Sequence, residues 1–177
     1  MLSIERIRDY ASLFISIASS YIYFTNGSYK IITHYIAMYL LTDLFITKQY
    51  DTYIHHTIGL MLYSFVYMNN LSEESENILM KPFIAVEISS VFYNINYLYP
   101  NNYFSVINKL IFFSTFFYYR IYNYYYSVLN NQDINHVIEN TGEVTKYFYY
   151  SAIYNLYALN LYWFSKIIKI ILKKIRK

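Results

Sequence analysis

Long apolar blocks separated by short polar turns constrain the fold of this chain more than any other feature of its sequence. A helix needs roughly 20 mostly apolar residues to cross a bilayer. Six segments approach that length: 10–24, 29–47, 52–68, 78–99, 103–129 and 146–172. Hydrophobic residues make up 56% of the chain and charged residues 14%, and the apolar residues fall in blocks. We therefore predict an all-α, polytopic integral membrane protein, a helical bundle or barrel of about six transmembrane helices.

The turns between these segments do not divide the chain into separate domains. Asn, Gly, Pro or charged residues mark the turns at 26–28, 48–51, 69–77, 100–102 and 130–145. We expect one domain overall, with the N-terminal segment and first transmembrane helix in 1–28 and the remainder in 29–177. The 26 tyrosines lower the hydropathy of the spans, so that a sliding window would rate some of them as marginal.

Charged residues outside the apolar segments predict an orientation. In a six-helix arrangement, one side carries Arg6, Arg8, Lys48, Lys109 and the basic residues of the C-terminal tail, and the other carries Glu73, Glu74, Glu76, Asp133, Glu139 and Glu143. By the positive-inside rule both termini are expected to be cytoplasmic. The net charge of +3 comes largely from the tail. A basic tail at a membrane helix indicates contact with anionic lipid, and we expect no nucleic-acid partner.

Titratable side chains cluster where the second apolar segment ends and the third begins. Asp43, Asp51, His55 and His56 all lie there. An ionised residue inside a membrane segment costs roughly 2.5–3.5 kcal/mol on insertion scales, so such residues usually face a bundle interior or a polar cavity. Neighbouring helical residues diverge by about 100°, so that one imidazole could face a cavity while a neighbouring helix holds the other. Imidazole suits proton transfer or nucleophilic attack; the alternative is a pair of amphipathic residues at the headgroup level.

A second polar group lies deeper in the apolar segments. Glu87, Ser90 and Asn94 follow a helical spacing and form one polar stripe, which we expect to face the bundle interior. Arg120 is equally deep in its own segment, and an ion pair with Glu87 would lower the cost of burying both charges. Such a pair serves either a functional site or a purely structural contact. Asn160 is expected to form hydrogen bonds between helices.

Metal and thiol chemistry find no support in the sequence. The chain has no cysteine. His34 and His136 are placed toward the side opposite the histidine pair, and no metal-binding histidine spacing occurs. We therefore predict no metal site and no resident cofactor.

Five short patterns in order resemble the TLC-domain family, which includes the ceramide synthases. They are D-L-F at 43–45, D-x-x-x-H-H at 51–56, E-I-S-x-x-x-x-N at 87–94, F-F-Y-Y-R at 116–120 and L-N-x-Y-W-F at 159–164. The resemblance covers roughly residues 29–174. Ceramide synthases carry a further motif with H-D and another Asp, whereas this chain has Glu87 and Ser89 there. It is therefore more similar to the branch of the family outside the ceramide synthases.

The resemblance implies a lipid-related function at the predicted site. It carries an acyl-transfer role onto His55 and His56, with Asp43 or Asp51 orienting an imidazole and Glu87 contacting the acceptor. We place Ser90, Asn94, Arg120 and Asn160 with Glu87 on the substrate-binding side. The co-substrate would be acyl-CoA or a lipid acyl donor, and the location the endoplasmic reticulum of a eukaryotic or virus-infected cell. A non-catalytic protein that binds, senses or organises membrane lipids is the alternative, and a small transporter using Glu87 and Arg120 is a third.

Overall fold

The computed structural model describes residues 3–27, 29–100 and 104–176, and these residues form helices without any strand. The helices are α1 (Ile4–Thr25), α2 (Tyr29–Leu44), α3 (Tyr50–Met68), α4 (Glu73–Ala85), α5 (Glu87–Leu98), α6 (Ser105–Phe116), α7 (Gln132–Glu139) and α8 (Glu143–Ile175). Two π-helical segments, Phe117–Tyr122 and Tyr125–Leu129, continue α6. The prediction of an all-α fold is confirmed.

Each predicted apolar segment corresponds to helical structure, with differences in two places. The segment predicted at 78–99 is split at Val86 into α4 and α5, and the predicted polar loop at 130–145 contains α7. Helix α7 forms because Ile134 and Ile138, one turn apart, are both fully buried. The predicted turns at 26–28 and 100–102, the start of the fifth segment at 103 and the domain limit at 28 lie partly outside the described residues.

The split at Val86 follows a proline and is accompanied by a local hydrogen bond. Pro82 lies inside α4, four residues before the split, and cannot donate a backbone hydrogen bond to the Ile78 carbonyl. Beyond it, the Ser89 side chain donates a hydrogen bond to the Val86 carbonyl at 2.9 Å, which satisfies that carbonyl where the helix is interrupted. Glu87 is consequently the first residue of α5.

Hydropathy supports one membrane span more clearly than the others. Taken together, α4 and α5 form the stretch Glu73–Leu98, the one helix of the described residues that has both the length and the apolar composition of a membrane span. The other spans of the six-helix arrangement stay predictions. Their tyrosine content lowers hydropathy, as expected from the sequence.

Six helical segments pack in a ring. Helix α1 lies between α2 and α5, α3 lies between α2 and α8, and α6 packs against α5. Helix α8 contacts the first π-helical segment, which continues α6 and closes the ring. Helix α4 packs against α1, α2 and α7 toward one end.

The two ends of this ring differ in their contents. The α4 end is filled by a hydrophobic core that includes Leu79, Ile84, Val128, Ile138 and Ile153, each no more than 1% exposed. The other end contains α5, the turn between α2 and α3, and the second half of α8. Polar side chains line a cavity there. The fold thus combines a packed half with a hollow half, and the predicted site residues fall in the hollow half.

Candidate functional site

A cavity of about 350 Å³ lies inside the ring and is lined by residues of α1, α2, α3, α5, α6, the first π-helical segment and α8. Its size is within the range of small-molecule sites. Carboxylate, imidazole, hydroxyl and guanidinium groups occupy part of its wall, and apolar atoms occupy the larger share. The apolar side chains of this wall include Phe112, Phe116, Ile167 and Ile170. The cavity therefore offers an amphiphile both a polar and an apolar surface.

The predicted site residues come together in this cavity with one exception. Those that line it are Asp43, Asp51, His55, His56, Glu87, Ser90, Asn94 and Arg120. Asn160 lies behind the lining, where it is 1% exposed and accepts a hydrogen bond from Arg120. The polar stripe of α5 does face the interior, as expected. The roles of all these residues in catalysis or binding stay predictions.

His56 and Asp43 form a close pair between α3 and α2. The Nδ1 atom of His56 lies 3.1 Å from Oδ2 of Asp43, and both side chains are buried. This contact is within ion-pair distance, although its angles do not meet those of a linear hydrogen bond. Arg8 on α1 reaches the other carboxylate oxygen of Asp43 at 3.7 Å. Since Nδ1 is the nitrogen of His56 that lies beside the carboxylate, Nε2 is the nitrogen that Asp43 does not contact.

His55 has different surroundings. Its ring meets the ring of Trp163 on α8 in an edge-on contact, with centroids 5.2 Å apart, and its Nδ1 atom is buried without a hydrogen-bond partner in the described residues. Both histidines line the cavity. The reason is that α2 approaches from one side and α8 from the other, and the cavity lies between them. The expectation that a neighbouring helix holds one imidazole agrees with the contact between His56 on α3 and Asp43 on α2.

Asp51 contacts α8 rather than an imidazole. Its Oδ2 atom accepts hydrogen bonds from the Trp163 indole and from the Lys166 ammonium, each at 3.0 Å. Partial burial alone would raise the pKa of Asp51, but these two donors and the Thr52 backbone N–H together lower it below its usual value. Of the two carboxylates predicted to orient a histidine, Asp43 is the one in position.

Arg120 and Glu87 do not form the expected ion pair. In the described part of the chain Arg120 donates instead to Ser89 Oγ at 2.7 Å, to Ser90 Oγ at 2.7 Å and to Asn160 Oδ1 at 3.4 Å. Glu87 accepts a hydrogen bond from Ser16 on α1 at 3.2 Å. Both charges line the same cavity, but separate hydroxyl groups bind each of them: Ser16 of α1 bonds Glu87, and Ser89 and Ser90 of α5 bond Arg120.

Some cavity residues were not predicted from the sequence as site residues. They are Arg8, Asp9, Ser12, Tyr39, Trp163 and Lys166. Arg8 was interpreted as an orientation charge, since it precedes the first apolar segment. Ser12 had a recognisable signal: with Ser16, one turn later, it forms a polar strip in an apolar helix, and Asn94 donates to it at 3.0 Å. Among the described residues, no group of three or more His, Asp or Glu side chains is placed to hold a metal ion.

Comparison with known proteins identifies the family. The sequence model of the TLC domain matches residues 5–169, nearly the whole chain and all of the predicted site. The chain belongs to the TLC-domain family. The resemblance noted from five short patterns is thereby confirmed. TLC-domain proteins are membrane proteins, so this TLC-domain protein is membrane-associated and lipid-related in function. No curated protein and no solved structure matches the chain.

Proposed function

We propose that this TLC-domain protein transfers an acyl group to a lipid acceptor inside its cavity. The observation that carries the proposal is the His56–Asp43 pair, 3.1 Å apart, in a cavity that also has an apolar wall. A carboxylate beside one imidazole nitrogen holds the ring orientation and favours the tautomer whose proton is on that nitrogen. The lone pair of Nε2 is then available to a substrate.

The chemistry requires no group beyond acceptor, donor and imidazole. Nε2 of His56 takes the proton of an acceptor hydroxyl or amine as its oxygen or nitrogen forms a bond to the acyl carbonyl carbon. The bond between that carbon and the leaving group then breaks, and the imidazolium returns the proton to the leaving group. With acyl-CoA as donor the leaving group is the thiol. Asp43 acts as a positioning residue, since it contacts the imidazole and not the acyl group.

The cavity wall suggests where the substrates lie. Glu87 and Asn94 on α5 offer polar contacts to the acceptor headgroup, together with Ser90. Phe112 on α6 and Ile170 on α8 offer apolar contacts to a hydrocarbon chain. A lipid with its headgroup on the α5 side and its chain on the α6 and α8 side would satisfy both surfaces.

The same proposal includes a topology and a location. The exposed cations Lys48 and Lys166 lie at the cavity end of the ring, as does Lys169 one turn farther along α8. We place this end at the cytoplasmic face of a multi-pass protein with both termini cytoplasmic, following the positive-inside rule. A water-soluble acyl-CoA would then reach the cavity from the cytoplasm. The endoplasmic reticulum is the proposed membrane in a eukaryotic or infected cell.

A non-catalytic lipid-binding or membrane-organising protein is the second candidate. It is favoured by the departure from the ceramide synthase pattern at 87–89. Ser89 in that motif is fully buried and accepts a hydrogen bond from Arg120, and its hydroxyl bonds the Val86 carbonyl. That part of the motif consequently stabilises the wall of the cavity. The transporter alternative has no comparable observation in its favour.

Lipid analysis of membranes that express matched amounts of variants tests catalysis. Membranes that express His56→Ala should not accumulate a lipid species that the wild type produces. Asp43→Asn should lower the accumulation of that lipid roughly 100-fold or more. His34→Ala is the matched control, since His34 is exposed and lies outside the cavity, where its ring meets Tyr63 and Tyr67 of α3 edge-on. It should resemble the wild type. If His56→Ala inserts, folds and gives the same lipid profile as the wild type, the enzyme proposal is wrong and the lipid-binding candidate takes its place.

A further inference from the structure

The guanidinium of Arg120 is a buried cation without a carboxylate partner. Arg120 is 5% exposed, and no Asp or Glu oxygen of the described residues lies within 4.0 Å of its guanidinium. The carboxylates of the cavity are engaged elsewhere: Asp9 with Arg8, Asp43 with His56 and Arg8, Asp51 with Lys166, and Glu87 with Ser16. Glu87 attracts Arg120 only from beyond ion-pair distance. A buried cation without a carboxylate in direct contact is costly, since neutral dipoles replace only part of its hydration.

The guanidinium is held in one orientation. Ser89, Ser90 and Asn160 accept hydrogen bonds from Nε, Nη2 and Nη1. The Phe116 and Trp163 ring centroids lie 5.4 and 5.8 Å from its central carbon. Such fixing removes in advance the side-chain entropy that ligand binding would otherwise cost.

Donor capacity remains for a ligand. A guanidinium has five N–H donors, and three hydrogen bonds are formed here, which leaves two without an acceptor among the described residues. Arg120 lines the cavity, so these donors lie at its wall. Arginine binds carboxylates and phosphates through such paired donors, and these charge-assisted bonds are about twice as strong as neutral ones. An oxyanion would supply both the missing acceptors and a negative charge in direct contact with the guanidinium.

An apolar surface begins directly beside this cation. Phe116 lies against the guanidinium and its ring contacts that of Phe112, one turn earlier on α6, at 5.7 Å between centroids. Ile167 and Ile170 lie one and two turns beyond Trp163 on α8 and line the same cavity. A hydrocarbon chain attached to an oxyanion at Arg120 would find apolar contacts on both sides. This continuity points to an amphiphile rather than to a small inorganic anion.

We propose that Arg120 is an oxyanion-binding subsite, which takes the carboxylate or phosphate headgroup of an anionic amphiphile whose chain lies along Phe112, Ile167 and Ile170. The inference rests on the proposed function only in that both place lipid in this cavity. It adds the chemical class of the ligand.

The single tryptophan of the chain provides a direct readout, because Trp163 lies beside the guanidinium. The full chain, purified in a neutral detergent, is titrated with dodecyl phosphate, with the uncharged monoglyceride of lauric acid, and with inorganic phosphate. Fluorescence of Trp163 is followed. We expect saturable binding of dodecyl phosphate about tenfold or more tighter than that of the monoglyceride, since a bond to a charged group is lost in the latter. Inorganic phosphate should bind far more weakly.

Variants locate the effect. Arg120→Gln should remove the preference for dodecyl phosphate and leave monoglyceride binding unchanged, whereas Arg6→Gln, the same charge change at an exposed position of α1, should change neither. Arg120→Lys keeps the charge but not the paired donors and should retain part of the preference. The comparison of ligands on the wild type needs no variant, so a folding defect in Arg120→Gln does not remove the test.

The outcomes separate this inference from the proposed function. Equal affinity for the phosphate and the monoglyceride, unchanged in Arg120→Gln, overturns the oxyanion subsite while lipid binding stands. Inorganic phosphate that binds as tightly as dodecyl phosphate supports the oxyanion subsite and overturns the amphiphile. Absence of binding by every amphiphile to a folded protein overturns both. Anionic preference together with an unchanged lipid profile in His56→Ala supports the subsite and contradicts acyl transfer.

Discussion

The indole Nε1 of Trp163 donates a hydrogen bond at 3.0 Å to Oδ2 of Asp51, a residue 112 positions earlier in the chain. This contact joins the first turn of α3 to α8 at the edge of the cavity. The Trp163 ring also contacts His55 and lies near Arg120. Trp163 therefore connects the Asp51 carboxylate, at the hollow end of the helical ring, to both the His55 imidazole and the Arg120 guanidinium.

The contact between Asp51 and Trp163 should contribute measurably to stability. Trp163→Phe removes the donor and keeps an aromatic ring, and Asp51→Asn removes the charge. We expect a coupling free energy of about 1 kcal/mol between the two substitutions, toward the lower end for a bond to a charged group because Asp51 is partly exposed. Denaturant unfolding of the purified wild type, both single variants and the double variant gives this value. Additive effects of the two substitutions would show that the contact is energetically neutral.

The pKa of Asp51 predicts a pH dependence of stability. Because its folded-state pKa is lowered by the Trp163 and Lys166 donors despite partial burial, the carboxylate stabilises the fold above its unfolded pKa of about 3.9. This contribution is lost as pH falls through the folded value. The difference in unfolding free energy between wild type and Asp51→Asn should be constant between about pH 7 and 5 and should shrink below about pH 4. A difference that grows on acidification would contradict the sign.

Gly59 allows the close approach of α2 and α3 that brings Asp43 to His56. A Cβ at position 59 would lie 2.8 Å from Cδ1 of Leu40 on α2. Because that atom is the end of a flexible side chain, Gly59→Ala should be tolerated. Gly59→Val should destabilise the protein by about 1–3 kcal/mol through overpacking. It should also lower acyl transfer more than Gly59→Ala does, as measured by product lipid per mole of folded protein. Equal activity of the two variants would show that the spacing of α2 and α3 does not determine the contact between Asp43 and His56.

The absence of cysteine makes the proposed topology directly testable. A single cysteine in place of the exposed Lys48, between α2 and α3, should react with a membrane-impermeant maleimide only when the reagent has access to the cytoplasmic face. A cysteine in place of the exposed Glu74, in the first turn of α4, should react only from the opposite face. Labelling of both positions from one face would contradict the proposal that the chain crosses the membrane an odd number of times between residues 48 and 74.

Much of the architecture followed from sequence because it depends on local composition. The six apolar segments correspond to helical structure since their blocks of apolar residues have few alternatives to helix in a bilayer. Helix α7 was missed because its two buried isoleucines lie among Asn, Asp and Gln residues that resemble a loop. The interruption at Val86 was not predicted because it lies inside a continuous run of apolar residues, where composition along the chain gives no signal for it.

The candidate site was predictable in its members but not in its pairs. His55, His56, Asp43 and Glu87 were recognised because titratable residues are rare and costly in apolar segments. Which of them meet was beyond the sequence: Asp51 contacts Trp163 instead of an imidazole, and Arg120 contacts Ser90 rather than Glu87. Side chains from different helices pair according to the rotation and crossing of those helices.

The sequence by itself determined that the chain is helical, that it has the composition of a membrane protein, and that its TLC-domain patterns carry a small set of ionisable residues. The tertiary structure decided that the ring is packed at the α4 end and hollow at the other, and that Asp43 reaches His56. It also decided that Arg120 is left with spare donors. The physical reason is that helix formation and lipid solubility depend on neighbours along the chain, whereas a cavity and its charge pairs depend on packing between helices that are distant in sequence.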